Sequence, residues 1–362
     1  MHAAPQRNAD HSTPYQEKFA IMSPSVVNRP LGITMGDANG IGPEIIAKLF
    51  AQGLPHPALV YGDAGVMQAT IESLGLHRRL RVVLASTADA ALEASVDVVP
   101  VLNRWQALPD TLVPGQVSAQ AGRGAYEYLC HAIDDALAGD IRAVVTAPLH
   151  KLALQQAGID YPGHTEILAD RTGTQDYAML LATDELRVIL VTIHVPLAQV
   201  PALVTHDAVL KTIELAHRAC RRAGINQPRV AVAGLNPHAG EDGRFGREDI
   251  DVIEPAIQTA RRQGIDASGP WPGDTIFMRA RTGEFDIVVA QYHDQGLIPI
   301  KYLGVDGGVN MTVGLPFVRT SVDHGTAFDI AGQGIADERS LRKACELALE
   351  MSAGSDQPTG DV

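Results

Sequence analysis

The sequence is poor in cysteine, in clustered positive charge and in long apolar runs, and each shortage excludes a class of protein. Three cysteines among 362 residues form neither a disulfide framework nor a CxxC metal motif, which indicates a reducing compartment. No block rich in Lys or Arg interrupts the net charge of −13, so nucleic acid and anionic membrane surfaces are poor partners. The apolar runs are too short to span a bilayer. We therefore expect a cytoplasmic globular protein.

Short apolar runs alternate with longer amphipathic segments along most of the chain. LGITMG, RVAVAGLN and FDIVVAQY have the length and composition of buried strands, whereas GPEIIAKLFAQ and DERSLRKACELALEMS have the period of helices. Glycine-rich joints separate the two kinds of segment. This alternation predicts an α/β fold with a largely parallel sheet between helices.

The length predicts two α/β domains, because one core rarely supports so many residues. We expect the first domain to comprise residues 30–148 and 320–352, and the second to comprise residues 149–319. The polar segments 1–29 and 353–362 are predicted to be disordered, and the first lacks the apolar core of a signal peptide.

Three apparent strands each lead to a histidine at their carboxyl end: His194, His238 and His293. Ligands of parallel sheets sit beyond these ends, so a shared metal is favoured over three separate core histidines. Neutral imidazole suits Zn²⁺, Co²⁺, Ni²⁺ or Fe²⁺, whereas Mg²⁺ prefers carboxylates. Three protein ligands also leave positions open for substrate. Asp274 and Asp294 are candidates for orienting these ligands or for acting as a base.

A set of polar residues follows the third histidine, namely Lys301, Asn310 and Arg319. A point charge, a neutral donor and a guanidinium fork could together clamp a phosphate or carboxylate, and the glycines between Lys301 and Asn310 would let the backbone approach it. An ordinary solvated loop would have a similar composition, so both interpretations stay open.

The glycine-rich turn TMGDANGIGPE joins the first strand to the first helix. Ile45 stands where a dinucleotide fingerprint needs its third glycine, and no Gly-Lys-Ser/Thr of a P-loop follows. A tight turn with Pro43 early in the helix, an N–H nest for a small anion and a domain contact are the alternatives. The chain also has no GxSxG elbow, which leaves serine hydrolysis without support.

Taken together, the motifs resemble those of the 4-hydroxythreonine-4-phosphate dehydrogenase (PdxA-like) family over nearly all of residues 31–350. The segments that match in order are TMGDANGIGPEI, TAPLHK, GHTE, GLNPHAGE, YHDQGLIPIKYLG, GVNMTVGLPFVRTSVDHGTA and AGQGIAD. The chain departs from the family at Ala38 and Asn39, where Pro-Ala is common, and this puts the local turn in question.

The resemblance implies a fold similar to isopropylmalate and isocitrate dehydrogenases, with two α/β/α domains around a cleft. It implies one divalent metal, Zn, Co or Mg, on the three strand-end histidines, with the site completed across a homodimer interface. The substrate contacts that it implies are His164, Thr165, Lys301, Asn310 and Arg319.

The implied activity is NAD(P)-dependent oxidation of a secondary alcohol beside a carboxylate, followed by loss of CO₂. Asp294, Lys301 and Asp274 are the candidate catalytic residues, Asp294 or Lys301 being the favoured base. HGTAFDIAG is similar to the adenosine-binding HGSAPDIAG of isopropylmalate dehydrogenases. The predicted cofactor residues in it are His324, Gly325 and Asp329, and the last favours NAD over NADP.

The substrate has two candidates within the resemblance. One is 4-hydroxy-L-threonine 4-phosphate of pyridoxal phosphate biosynthesis, and the other is the 4-phospho-D-threonate or 4-phospho-D-erythronate of a sister branch in sugar-acid catabolism. Both are four-carbon acids phosphorylated at C4, and the clamp does not separate an amino group from a hydroxyl at C2. A metal-dependent hydrolase and an acyl-phosphate transferase are more distant alternatives.

Overall fold

The computed structural model describes residues 28–303 and 308–353, and the segments predicted to be disordered lie almost entirely outside them. The described residues form one sheet of twelve strands: β1 (Leu31–Thr34), β2 (Ala58–Tyr61), β3 (Arg81–Leu84), β4 (Val98–Leu102), β5 (Ala143–Thr146), β6 (Ala178–Ala182), β7 (Arg187–Leu190), β8 (Val230–Ala233), β9 (Ala267–Trp271), β10 (Ile287–Ala290), β11 (Val309–Val313) and β12 (Val318–Val322).

Helices connect most of these strands and pack against the sheet. Those of the described residues are α1 (Gly42–Gln52), α2 (Ala64–Ser73), α3 (Ala119–Ala138), α4 (Lys151–Gln156), α5 (His164–Thr172), α6 (Val200–Leu203), α7 (His206–Arg222), α8 (Glu254–Arg262), α9 (Ile276–Arg281), α10 (His293–Leu303) and α11 (Arg339–Ala353). A π-helical turn, Asp249–Ile253, precedes α8.

The sheet consists of two parallel parts joined by an antiparallel centre. The strand order is β3-β4-β2-β1-β5-β12-β11-β6-β7-β10-β8-β9. Neighbours from β3 to β12 are parallel, as are those from β7 to β9, whereas β11 runs antiparallel to both β12 and β6. The predicted α/β class is confirmed, but the antiparallel centre was not predicted. The domain division at residues 148 and 319 stays a prediction, and the sheet itself continues through β12 and β11.

Three of the apolar runs of the sequence form strands that are buried along their whole length. Leu31–Thr34, Val230–Ala233 and Ile287–Ala290 are fully buried, as expected for parallel strands that are covered on both faces. The edge strand β3 is mostly exposed by contrast. Polar residues that follow the buried strands therefore stand at strand ends, where a parallel sheet binds its ligands.

The described residues contain no helix with the length and apolarity that crossing a bilayer requires. The three cysteines are free and buried. Burial raises the pKa of the Cys220 and Cys345 thiols to about 12, which keeps both protonated and unreactive near neutral pH. The cytoplasmic location stays a prediction.

Candidate active site

A cavity of ≈ 960 Å³ lies beside the antiparallel centre of the sheet. Its wall is built from β6, β11 and β12, from the segments that follow β5 and β7, and from the amino end of α5. A cavity of this size accommodates a small substrate together with part of a cofactor. The residues predicted from the sequence that line it are His164, Thr165, His194, Asn310, Arg319, His324 and Gly325.

Arg319 is the most deeply buried charge in the cavity wall, with 2% of its surface exposed. Its guanidinium donates to the hydroxyls of Thr146 at 2.6 Å and Thr312 at 3.1 Å, while its Nε has no partner among the described residues. Burial lowers the Arg319 pKa to about 9, and the negative charge of Glu166 partly opposes this. A buried cation without a paired carboxylate is costly, so the geometry favours an anionic ligand.

The amino end of α5 faces the same cavity. Gly163 precedes the helix, His164 and Thr165 form its first turn, and the Thr165 hydroxyl lies 3.3 Å from that of Thr312. Burial and the nearby Arg319 charge lower the His164 pKa well below its ordinary value, although a hydrogen bond with Ala147 opposes this. His164 is therefore neutral near pH 7, and the helix end adds partial positive charge for an anion.

The other two predicted clamp residues, Asn310 and Lys301, are held differently from Arg319. Asn310 lines the cavity, and its side-chain oxygen is buried without a hydrogen-bond partner among the described residues. Lys301, in the last turn of α10, forms an ion pair with Asp323 and donates to the Asp323 carbonyl at 3.1 Å. Asp323 lines the cavity, so it connects Lys301 to the wall that Asn310 and Arg319 form.

Two of the three predicted metal ligands lie together. The rings of His194, after β7, and His293, at the start of α10, have centroids 5.6 Å apart and are tilted by 43°. The His293 Nδ1 lies 2.8 Å from an oxygen of Asp294. That pairing leaves Nε2 for a metal, with the carboxylate holding the ring, which is the usual arrangement around ligating histidines.

His238 does not join this pair within the chain. It is exposed in a short turn after β8, has a backbone φ of 55°, and lies beside Phe245 with ring centroids 6.1 Å apart. No group of three His, Cys, Asp or Glu side chains that could hold a metal occurs in residues 28–303 and 308–353. The imidazole pair fits a metal by its donor chemistry, but one chain supplies only two of the three predicted ligands.

The two aspartates proposed as bases are outside the cavity wall. Asp274 is exposed in the turn between β9 and α9, and the Asp294 side chain is 74% exposed. Within the residues that the structure describes, the Asp294 side chain forms a hydrogen bond only with the neighbouring His293. The assignment of the base therefore stays a prediction.

The predicted cofactor loop is tied to the first helix. Glu44 accepts hydrogen bonds from the backbone N–H groups of Gly334 at 3.2 Å and Ala336 at 2.7 Å, and Lys48 donates to both of their carbonyls. Asp329 is exposed in this loop, and its carbonyl accepts from the Gln333 side chain. This contact favours a structural role for the glycine-rich turn, as a tight turn or a domain contact, over an N–H nest for a small anion.

Three residues of the site, and Asp37 of the glycine-rich turn, were not assigned a role from the sequence. Thr146 and Asp323 lie inside quoted motifs, TAPLHK and SVDHG, yet their partners are on other strands and helices. Thr312, on β11, likewise accepts a hydrogen bond from Arg319 on the neighbouring strand β12. Asp37, in the glycine-rich turn, is fully buried, and burial raises its pKa to about 6. The only sequence signal for a role of these residues was their position inside the quoted motifs.

Comparison with known proteins places this architecture among dehydrogenases. The family model described as pyridoxal phosphate biosynthetic protein PdxA matches residues 54–348. A 4-hydroxythreonine-4-phosphate dehydrogenase of Beijerinckia indica subsp. indica is 54% identical over 330 residues, which cover 90% of this chain and 96% of the relative. A D-threonate 4-phosphate dehydrogenase of Cupriavidus necator is 45% identical over 326 residues, covering 89% and 97%.

A solved structure agrees with these sequence matches. The 1.25 Å crystal structure of a 4-hydroxythreonine-4-phosphate dehydrogenase from Klebsiella pneumoniae is 44% identical to this chain. It aligns with a TM-score of 0.82 and covers 90% of this chain and 99% of the crystallised one.

Proposed function

This chain belongs to the PdxA family, and we propose that it oxidises a four-carbon hydroxy acid phosphorylated at C4, with NAD as the hydride acceptor. The substrate proposed first is 4-hydroxy-L-threonine 4-phosphate, for which the relative from Beijerinckia indica is named. D-threonate 4-phosphate is the second candidate, because the relative from Cupriavidus necator bears that name. The relatives compared are all named dehydrogenases, which favours oxidation over the hydrolase and transferase alternatives.

The observation that carries the proposal is the buried guanidinium of Arg319 in the cavity wall. It has two hydroxyl partners, no paired carboxylate among the described residues and a free Nε–H, and it lies near the amino end of α5. An anionic group of the substrate would complete its hydrogen bonds. Neutral His164 and the Thr165 hydroxyl lie in the same wall and would donate to the same ligand.

The other predicted residues have distinct roles in this proposal. The unpartnered oxygen of Asn310 would accept a hydrogen bond from a substrate hydroxyl. Lys301, which is ion-paired with Asp323, would add positive charge if Asp294 is the base, and would have to be neutral if it is the base itself. The base that receives the alcohol proton is proposed to be Asp294 or Lys301, with Asp274 as the third candidate. Loss of CO₂ would follow, since the oxidised product is a β-keto acid.

The metal is proposed to be bound by His194 and His293 of one chain and His238 of a second copy. A divalent ion held there would polarise the substrate hydroxyl and carboxylate oxygens. Asp294 would fix the His293 ring by accepting its Nδ1–H, which orients Nε2 toward the ion. The proposed assembly is a homodimer, because the described residues of one chain bring only two of the histidines together.

The cofactor is proposed to bind along the loop that carries His324, Gly325 and Asp329. His324 and Gly325 line the cavity, which brings this loop into contact with the substrate region. NAD bound there would accept the hydride. Glu44 and Lys48 would keep the loop in place through its backbone.

A substrate panel tests the proposal. The purified protein is incubated with NAD, with Zn²⁺, Co²⁺ or Mg²⁺, and with each of three acids: 4-hydroxy-L-threonine 4-phosphate, 4-phospho-D-threonate and 4-phospho-D-erythronate. We expect NADH formation with one acid to exceed that with the others, and the phosphate-free acids to be poor substrates. No NADH from any phosphorylated acid with any of the metals would contradict the proposal.

A further inference from the structure

Arg319 is held by threonines on the two strands that flank its own. Thr146 ends β5 and Thr312 lies on β11, and both strands pair with β12, which carries Arg319. Each threonine hydroxyl accepts from a different terminal nitrogen of the guanidinium, at 2.6 Å and 3.1 Å. The fork is therefore fixed from both sides.

The chemistry of these two partners matters as much as their position. A hydroxyl accepts a hydrogen bond without carrying charge, so it orients the guanidinium but leaves its positive charge uncompensated. A carboxylate in either place would form a bidentate pair with Arg319 and would compete with an incoming anion. The described residues place no such carboxylate in hydrogen-bond contact with Arg319, although burial makes its charge costly.

We infer that Thr146 and Thr312 are positioning residues that hold Arg319 in a charged, ligand-ready orientation for the anionic group of the substrate. The inference rests on the proposed function for the identity of that anion, but not for the presence of an anion site. Thr312 also lies 3.3 Å from the hydroxyl of Thr165, in the first turn of α5. This contact brings the guanidinium and the amino end of α5 together in the cavity, and both are sources of positive potential there, although Glu166 in the same helical turn opposes them.

The test measures binding of inorganic phosphate by calorimetry to the native protein and to Thr146→Val and Thr312→Val. Valine keeps the shape of threonine and removes the acceptor. We expect each variant to weaken phosphate binding by about tenfold, as for loss of one hydrogen bond to a charged group. The KM for the phosphorylated substrate should rise by a similar factor with a smaller change in kcat, and serine at either position should restore both values.

Thr320→Val is the matched control. Thr320 is adjacent to Arg319 on β12, fully buried, and donates to the carbonyl of Ala344 in α11 at 2.8 Å. Its valine variant loses a buried hydroxyl hydrogen bond from the same strand without touching the guanidinium. Stability should fall slightly, and phosphate affinity should stay at the native value.

Thr312→Asp separates positioning from simple support of the fold. A carboxylate there should pair with Arg319, so phosphate binding should be lost while the thermal midpoint stays at or above that of Thr312→Val. Native phosphate affinity in both valine variants, an equal loss in the Thr320 control, or no phosphate binding to the native protein would overturn the inference. If phosphate binding depends on the threonines but no phosphorylated acid is oxidised, the inference stands and the proposed function fails.

Discussion

The carboxylate of Glu44 accepts a hydrogen bond from the backbone N–H of Ala336 at 2.7 Å, which joins the first helix to the loop that carries Asp329. Glu44 has 4% of its surface exposed and pairs with Lys48, which in turn donates to two carbonyls of the same loop. The glycine-rich turn and the first helix thus hold the proposed cofactor loop through the Glu44 side chain and through the Ile41 N–H, which donates to the Thr326 carbonyl at 3.0 Å.

Glu44→Ala should loosen this loop. We expect the variant to lose about 1–3 kcal/mol of unfolding free energy, because two backbone N–H groups and Lys48 lose their acceptor. The KM for NAD should rise several-fold, whereas phosphate affinity should not change, because Arg319 is untouched. Urea unfolding and steady-state kinetics measure these effects. Glu72→Ala, at an exposed position on α2, is the control and should change neither quantity. An unchanged KM for NAD would remove the link between Glu44 and the cofactor.

A mixing experiment tests whether the metal site is shared between two chains. His238→Ala and His293→Ala should each lack bound metal and activity, whereas His77→Ala, at an exposed position, should retain both. If His238 completes the site of the partner, a mixed dimer of the two variants contains one intact site and one doubly altered site. Random exchange should then restore about a quarter of native activity, since half of the dimers are mixed. Complete absence of recovery after verified subunit exchange would indicate that each site belongs to one chain.

The helix α1 and the strand β10 show what the sequence could predict. GPEIIAKLFAQ was predicted as a helix and forms one over the same residues, since Pro43 stands in its first turn and apolar residues repeat at helical spacing. IVVA was predicted as a buried strand and is one. By contrast, β9 (Ala267–Trp271) contains Gly269 and Pro270, which are unusual in strands, and it was missed. The helix α10 was missed because Gly296 and Pro299 interrupt its pattern.

From the strand pattern alone, the candidate site was predictable only where residues follow parallel strands, whereas His164, Thr165 and the strand residues Asn310 and Arg319 were predicted from the family motifs. His194 and His293 come together because they follow β7 and β10, which are parallel neighbours. The sequence predicts this, since residues at the carboxyl ends of parallel strands meet at one edge of the sheet. Thr146, Thr312 and Asp323 could not be predicted, because their roles depend on which strands are adjacent. The pairing of β12 with β5 brings Thr146 and Arg319 together although they are 173 positions apart in the sequence.

The buried carboxyl of Asp37 should leave a signature in the pH dependence of stability. Its pKa is raised by burial from 3.8 to about 6, so the folded state holds a proton that the unfolded state has already lost. The native protein should therefore lose stability from this group as pH rises from about 4 to 6. Asp37→Asn should lack that loss and be more stable than the native protein at pH 7 by about 1–3 kcal/mol, with little difference at pH 4. Denaturant unfolding at several pH values checks this, and a destabilised variant at pH 7 would mean that the ionised carboxylate is required.

We expect cofactor preference to depend on Asp329, which is exposed in the loop after β12. In the proposed function its carboxylate accepts hydrogen bonds from the adenosine ribose hydroxyls, and it would repel the 2′-phosphate of NADP. A like-charge contact of this kind can cost several kcal/mol. We expect the native enzyme to use NAD with the higher kcat/KM, and Asp329→Lys to narrow or reverse that preference.

Asp337→Lys is the comparison variant for this test. Asp337 lies in the same loop and is also exposed, and its carboxylate pairs with Arg339. If loop charge alone decided the preference, both lysine variants would shift it equally. If the carboxylate of Asp329 accepts hydrogen bonds from the ribose hydroxyls, only Asp329→Lys should change the ratio of kcat/KM for NAD to that for NADP. A native enzyme that favours NADP would overturn the assignment of Asp329, because the same carboxylate cannot both accept from two hydroxyls and tolerate a phosphate in the place of one.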